Sequence, residues 1–288
     1  MDFFTSERMR RQDAGGAGGR GQAQGRAARP SGFMPVMSAM ARPDVSLPPA
    51  LGEDIALFHD LDGSLLELAS RPEAVKVAPY LPVLLTALHR RLGGALAIVS
   101  GRQIQTLDRL LYPLRLAGAG LHGAELRRDL RGSIETTATA GSGDLPEALR
   151  RYFSDDPRIV IEDKGMAVAV HFRLAPERAA ECEAVAAALA SAMGLSATQG
   201  KMVIEVLPPE VNKGQAVQAL MTLPPFAGRR PVFVGDDLTD ENGILVAQAM
   251  GGYGIKVGAG PSVAHYRLGS VPEVHGWLAA GAGLRDFA

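Results

Sequence analysis

The chain is short of the features that mark several protein classes. Its 288 residues hold one cysteine, Cys182, so no intrachain disulfide can form. Its place in an Ala-rich stretch from Pro176 to Met193 reads as an inert buried thiol in a reducing, cytoplasmic setting. No run approaches the roughly 18 consecutive apolar residues of a membrane helix, so no membrane association is expected. Arg10 and Arg11 are followed, from Gln12 to Pro30, by Gly, Ala and Arg without the apolar centre of a secretory signal. An excess of one charge is missing too. Thirty Lys and Arg face 31 Asp and Glu, a formal net charge of -1, which gives no overall field to attract nucleic acid or an anionic surface. Aromatic residues make up only 5%, so burial must come from Ala, Val and Leu. No Cys/His cluster has the spacing of a zinc site.

What is present divides into three regions. Residues 1–48 are rich in Gly, Ala, Arg, Pro and Ser without apolar periodicity and are expected to be a mobile tail. From Ile55 the text alternates between apolar runs and amphipathic segments. Ile55 to Phe58 reads as a strand, Pro79 to Leu92 as a helix and Ala95 to Val99 as a strand. The same rhythm returns with a helix over Asn212 to Met221, a strand at Val232 to Val234, a helix over Asp240 to Met250 and a strand at Gly254 to Val257. Strand, helix, strand crossovers without alternation imply a parallel sheet covered on both faces, the α/β Rossmann-like class. Between these halves, Glu125 to Leu130, Arg158 to Asp163, Met166 to Arg173 and Met202 to Leu207 read as antiparallel strands. Helices over Leu145 to Phe153 and Pro176 to Met193 are interleaved with them. The expected organisation is a core of residues 49–124 and 209–288 carrying an inserted α+β cap of residues 125–208.

Four sequence features could carry chemistry. Asp60-Leu61-Asp62-Gly63-Ser64 follows a strand, and in open parallel sheets ligands bind beyond the carboxyl ends of the strands. Residues two apart project to the same side, so Asp60 and Asp62 can face one substrate, one attacking and the other moving protons, while Gly63 permits a sharp exit turn. The bland alternative is a polar turn in which Asp62 accepts backbone hydrogen bonds. Gly235-Asp236-Asp237-Leu238-Thr239-Asp240-Glu241 also follows a strand. Asp237 and Asp240 suit a helix N-terminus, whereas Asp236 with Asp60 would offer Mg2+ two hard oxygen ligands. Ser100-Gly101-Arg102 could bind phosphate oxygens or simply cap a helix with Ser100. Lys213 could neutralise phosphate or be a surface lysine.

These motifs, in this order, resemble the haloacid dehalogenase-like phosphotransferases. Further segments are similar to the trehalose-6-phosphate phosphatases among them: Ala119-Gly120-Leu121-His122-Gly123-Ala124-Glu125, Glu162-Asp163-Lys164-Gly165 with His171-Phe172-Arg173, Gly200-Lys201-x-Val203-x-Glu205-Val206, and Gly235 to Glu241. The resemblance covers about residues 54–280. It implies hydrolysis of trehalose 6-phosphate with Mg2+ as cofactor and an aspartyl-phosphate intermediate. Asp60 would be the nucleophile, Asp62 the proton carrier, and Ser100 and Lys213 the phosphate-neutralising groups. The metal would be held by Asp60, the backbone carbonyl of Asp62 and Asp236, with Gly63, Asp237 and Asp240 in support. Sugar contacts would come from Glu162, Lys164, Lys201 and Glu205, with Arg102, His122 and Glu125 lining the cleft. From spacing alone this set reads first as cross-strand salt pairs on a solvated sheet face, and the resemblance reverses that preference. The partner would be a small sugar phosphate, and oligomeric state leaves no sequence signal. Competing readings are a capped phosphatase of sucrose phosphate or a glycosyl phosphoglycerate, a phosphomutase, and a sugar-phosphate-binding regulator without catalysis. His59, where the family often has an apolar or aromatic residue, should point away from Asp60.

Overall fold

The computed structural model describes residues 46–69, 72–137 and 141–284. The expected tail therefore lies outside the described residues except for its last three, of which Ser46 forms a parallel bridge to Tyr266.

The first apolar run becomes β1 (Ile55–His59), followed by α1 (Leu81–Arg91), β2 (Leu96–Val99), α2 (Ile104–Leu110) and β3 (Ala117–Gly120). Leu81, Leu84, Leu85 and Leu88 of α1 are fully buried at the i, i+3, i+4, i+7 positions that make one helical stripe. Each such burial is worth about 1.5–3 kcal/mol. After a tight 3-10 turn at Leu121–Gly123 come β4 (Glu125–Arg127) and β5 (Glu135–Thr136). The middle of the chain forms α3 (Leu145–Tyr152), β6 (Val160–Asp163), β7 (Val168–His171), α4 (Ala179–Ala192), β8 (Ser196–Gly200) and β9 (Val203–Leu207). It closes with α5 (Lys213–Met221), β10 (Arg230–Gly235), α6 (Asp240–Ala249), β11 (Tyr253–Val257), β12 (Tyr266–Leu268) and α7 (Val271–Ala282).

The large sheet runs β12-β11-β10-β1-β2-β3-β4-β5. Its first six strands are mutually parallel, with β4 and β5 antiparallel at one end. β1 lies between β10 and β2, so Asp60 emerges at the centre, flanked by the loops that carry Asp236 and Ser100. Both faces are covered, as the lack of alternation predicted. Leu57, Ile98, Val232 and Val234 pack with the leucines of α1 and with Val274 and Leu278 of α7. Phe58, Val99 and Phe233 pack on the other side with Val217 and Leu220 of α5 and Ile244 of α6.

One strand lands elsewhere than expected. Glu125 to Leu130 was to open the inserted sheet; instead Glu125–Arg127 pairs antiparallel with β3 in the large sheet, because the turn at Leu121–Gly123 reverses the chain beside its neighbour. The boundary expected at residue 125 thus falls inside the large sheet. The inserted sheet is four-stranded and antiparallel, ordered β6-β7-β9-β8. Val168 and Val170 of β7 and Ile204 and Val206 of β9 pack with Leu149 of α3 and with Cys182 and Ala186 of α4. By the two-residue period of a strand, His171 and Glu205 then project from the opposite face. That face borders a cavity of about 680 Å³ whose other wall is the carboxyl edge of the large sheet.

Candidate active site

Asp60 follows β1, its backbone N–H still donating to Val234 at 2.9 Å. Its carboxylate is almost fully buried and accepts from Lys213 Nζ at 2.7 Å. Lys213 also donates to Asp240 at 2.6 Å. It is held there because Asn212 caps α5, accepting from Gln215 N–H at 3.0 Å, which seats Lys213 in the first helical turn. A lysine expected to be either functional or superficial is therefore a buried ammonium shared by two aspartates. Burial pushes the Asp60 carboxyl well above the usual carboxylate range, Asp240 adds to the rise, and Lys213 opposes it. Burial likewise raises Asp240 to about 7 against the pull of Lys213. The Lys213 ammonium stays protonated: burial disfavours its charge, but Asp240 and Asp60 together hold it well above the usual lysine range.

The loop after β10 supplies the third carboxylate. One oxygen from each of Asp60, Asp236 and Asp240 lies within 4.8 Å of the other two. Asp240 is already committed, since one oxygen takes Lys213 and the other accepts the backbone N–H groups of Asp236 and Asp237 at 2.8 and 3.0 Å. Asp237 accepts from Thr239 N–H and Oγ1 at 2.9 and 2.7 Å, the helix-opening geometry that the sequence allowed for it. Asp60 and Asp236 each give one oxygen to a lysine, Lys213 and Lys201 respectively, and keep the other, a pair of hard oxygen donors whose chemistry fits a divalent ion. Gly63 makes their approach possible: its φ is +85°, and a Cβ there would overlap the Asp236 carboxylate.

Asp62 is turned toward Arg102, which donates to its two oxygens at 2.6 and 2.8 Å. Ser100 is buried, and its hydroxyl accepts from Arg102 N–H at 3.2 Å. It does not cap a helix, because α2 begins only at Ile104 with Gln103 before it. Glu125, expected in the cleft, is not among the residues lining the cavity; its carboxylate instead accepts from Ile104 N–H at 2.7 Å at the start of α2.

The expected sugar-contact residues do meet at the cavity. Glu205 of β9 is buried between Lys164, at 2.9 Å, and the ring Nε2 of His122. Burial pushes its carboxyl upward, yet His122 and Lys164 outweigh that and hold it well below the usual range. Lys164 reaches across to Gly101 carbonyl at 3.0 Å, and Lys201 pairs with Asp236 at 2.9 Å. The salt pairs that spacing alone allowed thus exist, but on the cavity side of the inserted sheet. His122 sits in the left-handed region at φ 58°, with its Nδ1 buried and unpartnered among the described residues. His59, fully buried, contacts the backbone of Asp60. Burial drives its imidazole down to about 3, so it stays neutral and donates from Nδ1 to the Asp60 carbonyl at 2.6 Å.

Three residues here carry contacts to which sequence reasoning assigned no role, although His171 and Arg173 lie in a segment that it singled out. Lys256, buried in β11, donates to the Asp236 carbonyl; a lysine inside an apolar strand was the available signal. Arg173 bridges the two walls through the carbonyls of Ala69 and Lys201. His171 donates to Glu162 at 2.9 Å.

A central parallel sheet with carboxylates at the ends of β1 and β10, a buried lysine between them and an α+β unit inserted over the opening define a capped haloacid dehalogenase-like phosphatase. The solved C-terminal domain of Candida albicans trehalose-6-phosphate phosphatase shares this fold with a TM-score of 0.73 at 22% identity, over 83% of this chain and 99% of that one. A trehalose-6-phosphate phosphatase related protein superposes with a TM-score of 0.66 at 26% identity, over 80% of this chain and 97% of that one. In sequence, a probable trehalose-phosphate phosphatase of Sinorhizobium fredii is 44% identical over 238 residues, 78% of this chain and 89% of the relative. The trehalose-6-phosphate phosphatase of Escherichia coli K12 is 40% identical over 233 residues, 80% and 87% of the two chains. The trehalose-phosphatase family model matches residues 58–271. The chain belongs to the trehalose-phosphatase family.

Proposed function

We propose that the chain hydrolyses trehalose 6-phosphate to trehalose and phosphate in the cytoplasm, with Mg2+ as cofactor. The observation that carries the reading is the single cavity joining Asp60, Lys213 and Asp236 at one end to Glu162, Lys164, Lys201 and Glu205 on the inserted sheet. One end suits a phosphoryl group; the other offers acceptors and donors for sugar hydroxyls.

Asp60 attacks phosphorus in line, forming an Oδ–P bond as the bond to the sugar oxygen breaks. Asp62 gives that oxygen its proton, then takes one from the water that cleaves the aspartyl phosphate and frees Asp60. Arg102 now holds both Asp62 oxygens, so substrate arrival must draw the guanidinium toward phosphate before Asp62 can carry a proton. Lys213 and Ser100 face the phosphoryl oxygens, where fixed charge and dipoles carry most of the catalysis. Asp60, the Asp62 carbonyl and Asp236 would hold Mg2+, which when bound neutralises charge on the transferring group.

Phosphate release should be measured for trehalose 6-phosphate, sucrose 6-phosphate and glucosyl phosphoglycerate, with and without Mg2+, for the wild type and Asp60→Asn. Fast, Mg2+-dependent turnover of the first substrate and its abolition by the substitution are expected. Equal turnover of all three would remove the substrate assignment, and an unchanged rate in Asp60→Asn would remove the mechanism.

A further inference from the structure

We propose that His171 is a positioning residue that holds Glu162 in its sugar-binding orientation and so helps select a disaccharide phosphate over simpler phosphoesters. The inference rests on the reading of this cavity as a sugar-phosphate site.

The placement follows from strand geometry. In the antiparallel pair β6–β7, His171 lies opposite Val160 and Glu162 opposite Ala169, so His171 and Glu162 are diagonal neighbours on one face. Val168 and Val170, one step out of phase, are buried under the helices, which commits His171 to the cavity side. Both residues line the cavity. His171 Nε2 stands 2.9 Å from Glu162 Oε2. A carboxylate only accepts, so the imidazole is the donor.

The consequence is directional. Lys164 Nζ approaches the same Oε2, at 3.8 Å, so both cationic or donor neighbours hold one oxygen and leave the other for a substrate hydroxyl. His171 is the largest influence holding the Glu162 carboxyl below its usual range, against the opposing effect of burial. Glu162 is substantially exposed, its side chain 40% accessible, and a free glutamate there would sample several rotamers. Holding it beforehand removes an ordering cost on binding that corresponds to about fivefold in affinity. Among the described residues His171 makes no hydrogen bond or ion pair with Asp60, Lys213 or Ser100, so its effect should fall on sugar binding and spare phosphoryl transfer.

The test is a kinetic double-mutant cycle of His171→Ala and Glu162→Ala, with His171→Gln as the conservative variant, on trehalose 6-phosphate and on p-nitrophenyl phosphate, which lacks the sugars. His171→Ala should raise KM for trehalose 6-phosphate about fivefold with kcat changed less than about twofold, and leave p-nitrophenyl phosphate turnover unaltered. His171→Gln, which keeps a donor, should recover most of the loss. In the Glu162→Ala background, which has no acceptor for His171, His171→Ala should change KM by less than about twofold. Independent, multiplying effects, no change on His171→Ala, or equal losses on both substrates would each overturn the positioning role. A wild type that hydrolyses p-nitrophenyl phosphate but not trehalose 6-phosphate would overturn the proposed substrate and this inference with it.

Discussion

Replacing Lys213 by methionine keeps the side chain's length and removes the one ammonium shared by Asp60 and Asp240. Both carboxylates are buried, with side-chain exposures of 6% and 0%, so neither can turn to water for compensation. Removing one member of a buried ion pair costs about 3–5 kcal/mol, which for a domain of this size is roughly 6–20 °C in Tm. The chemistry loses more than stability, since deleting one preorganised group that stabilises transition-state charge slows kcat by about 10²–10³-fold. A third effect has a definite sign. Burial and Asp240 already raise the Asp60 carboxyl while Lys213 restrains it, so the variant's Asp60 holds its proton to higher pH. The acid limb of its rate–pH profile should therefore lie at higher pH than that of the wild type. Phosphate release and thermal melting, each followed from pH 6 to 8.5, measure all three effects. A Lys213→Met enzyme within tenfold of wild-type kcat, with Tm within 2 °C, would refute the view that this ammonium organises the site.

Two further substitutions test the surroundings. Gly63→Ala places a methyl against Asp236 at a φ of +85°, a backbone region costing a non-glycine residue about 1–3 kcal/mol; the Mg2+ concentration for half-maximal activity should rise at least about tenfold, and an unchanged Mg2+ titration would contradict the close packing. Glu205 is held well below its ordinary value, near 4.5, by His122 and Lys164 against burial. It therefore stabilises the fold fully above about pH 4.5, and this contribution is lost as pH falls through the lower folded-state value. Glu205→Gln should be less stable than the wild type at pH 7 and lose less Tm between pH 5 and 3, whereas parallel Tm profiles would count against the buried triad of His122, Glu205 and Lys164.

The placement of Asp60, Ser100 and Asp236 at one edge of the sheet was legible because local sequence and tertiary placement agree there. Apolar runs ending in Asp60, Ser100 and Asp236 mark strand ends, whereas the cap by Asn212 that seats Lys213 emerged only from the structure. The open choices turned on partners remote in sequence. Ser100 could be a helix cap until α2 proved to start at Ile104, which removes that alternative. Glu125 carried the right residue type for the cleft, yet Gly120 and the turn after it direct its strand back along β3. β3 itself, Ala-Gly-Ala-Gly, has no β-branched residue to announce it. It is a strand because Gly118 lets its backbone lie against that of Ile98, where a Cβ would collide. Lys256 and His171 were hidden for a related reason: their meaning lies in what they touch, a carbonyl 20 residues away in one case and a carboxylate on the neighbouring strand in the other.

The pair formed by Asp60 and Lys213 spans 153 positions of the chain, with the whole inserted sheet encoded between them. Asp60 and Arg102 therefore leave the ribosome well before Lys213 and Asp236. Under the proposed mechanism, a polypeptide ending ahead of α5 would carry the attacking carboxylate without the ammonium beside it or the second metal-binding carboxylate, so the chemistry waits for the last quarter of the chain.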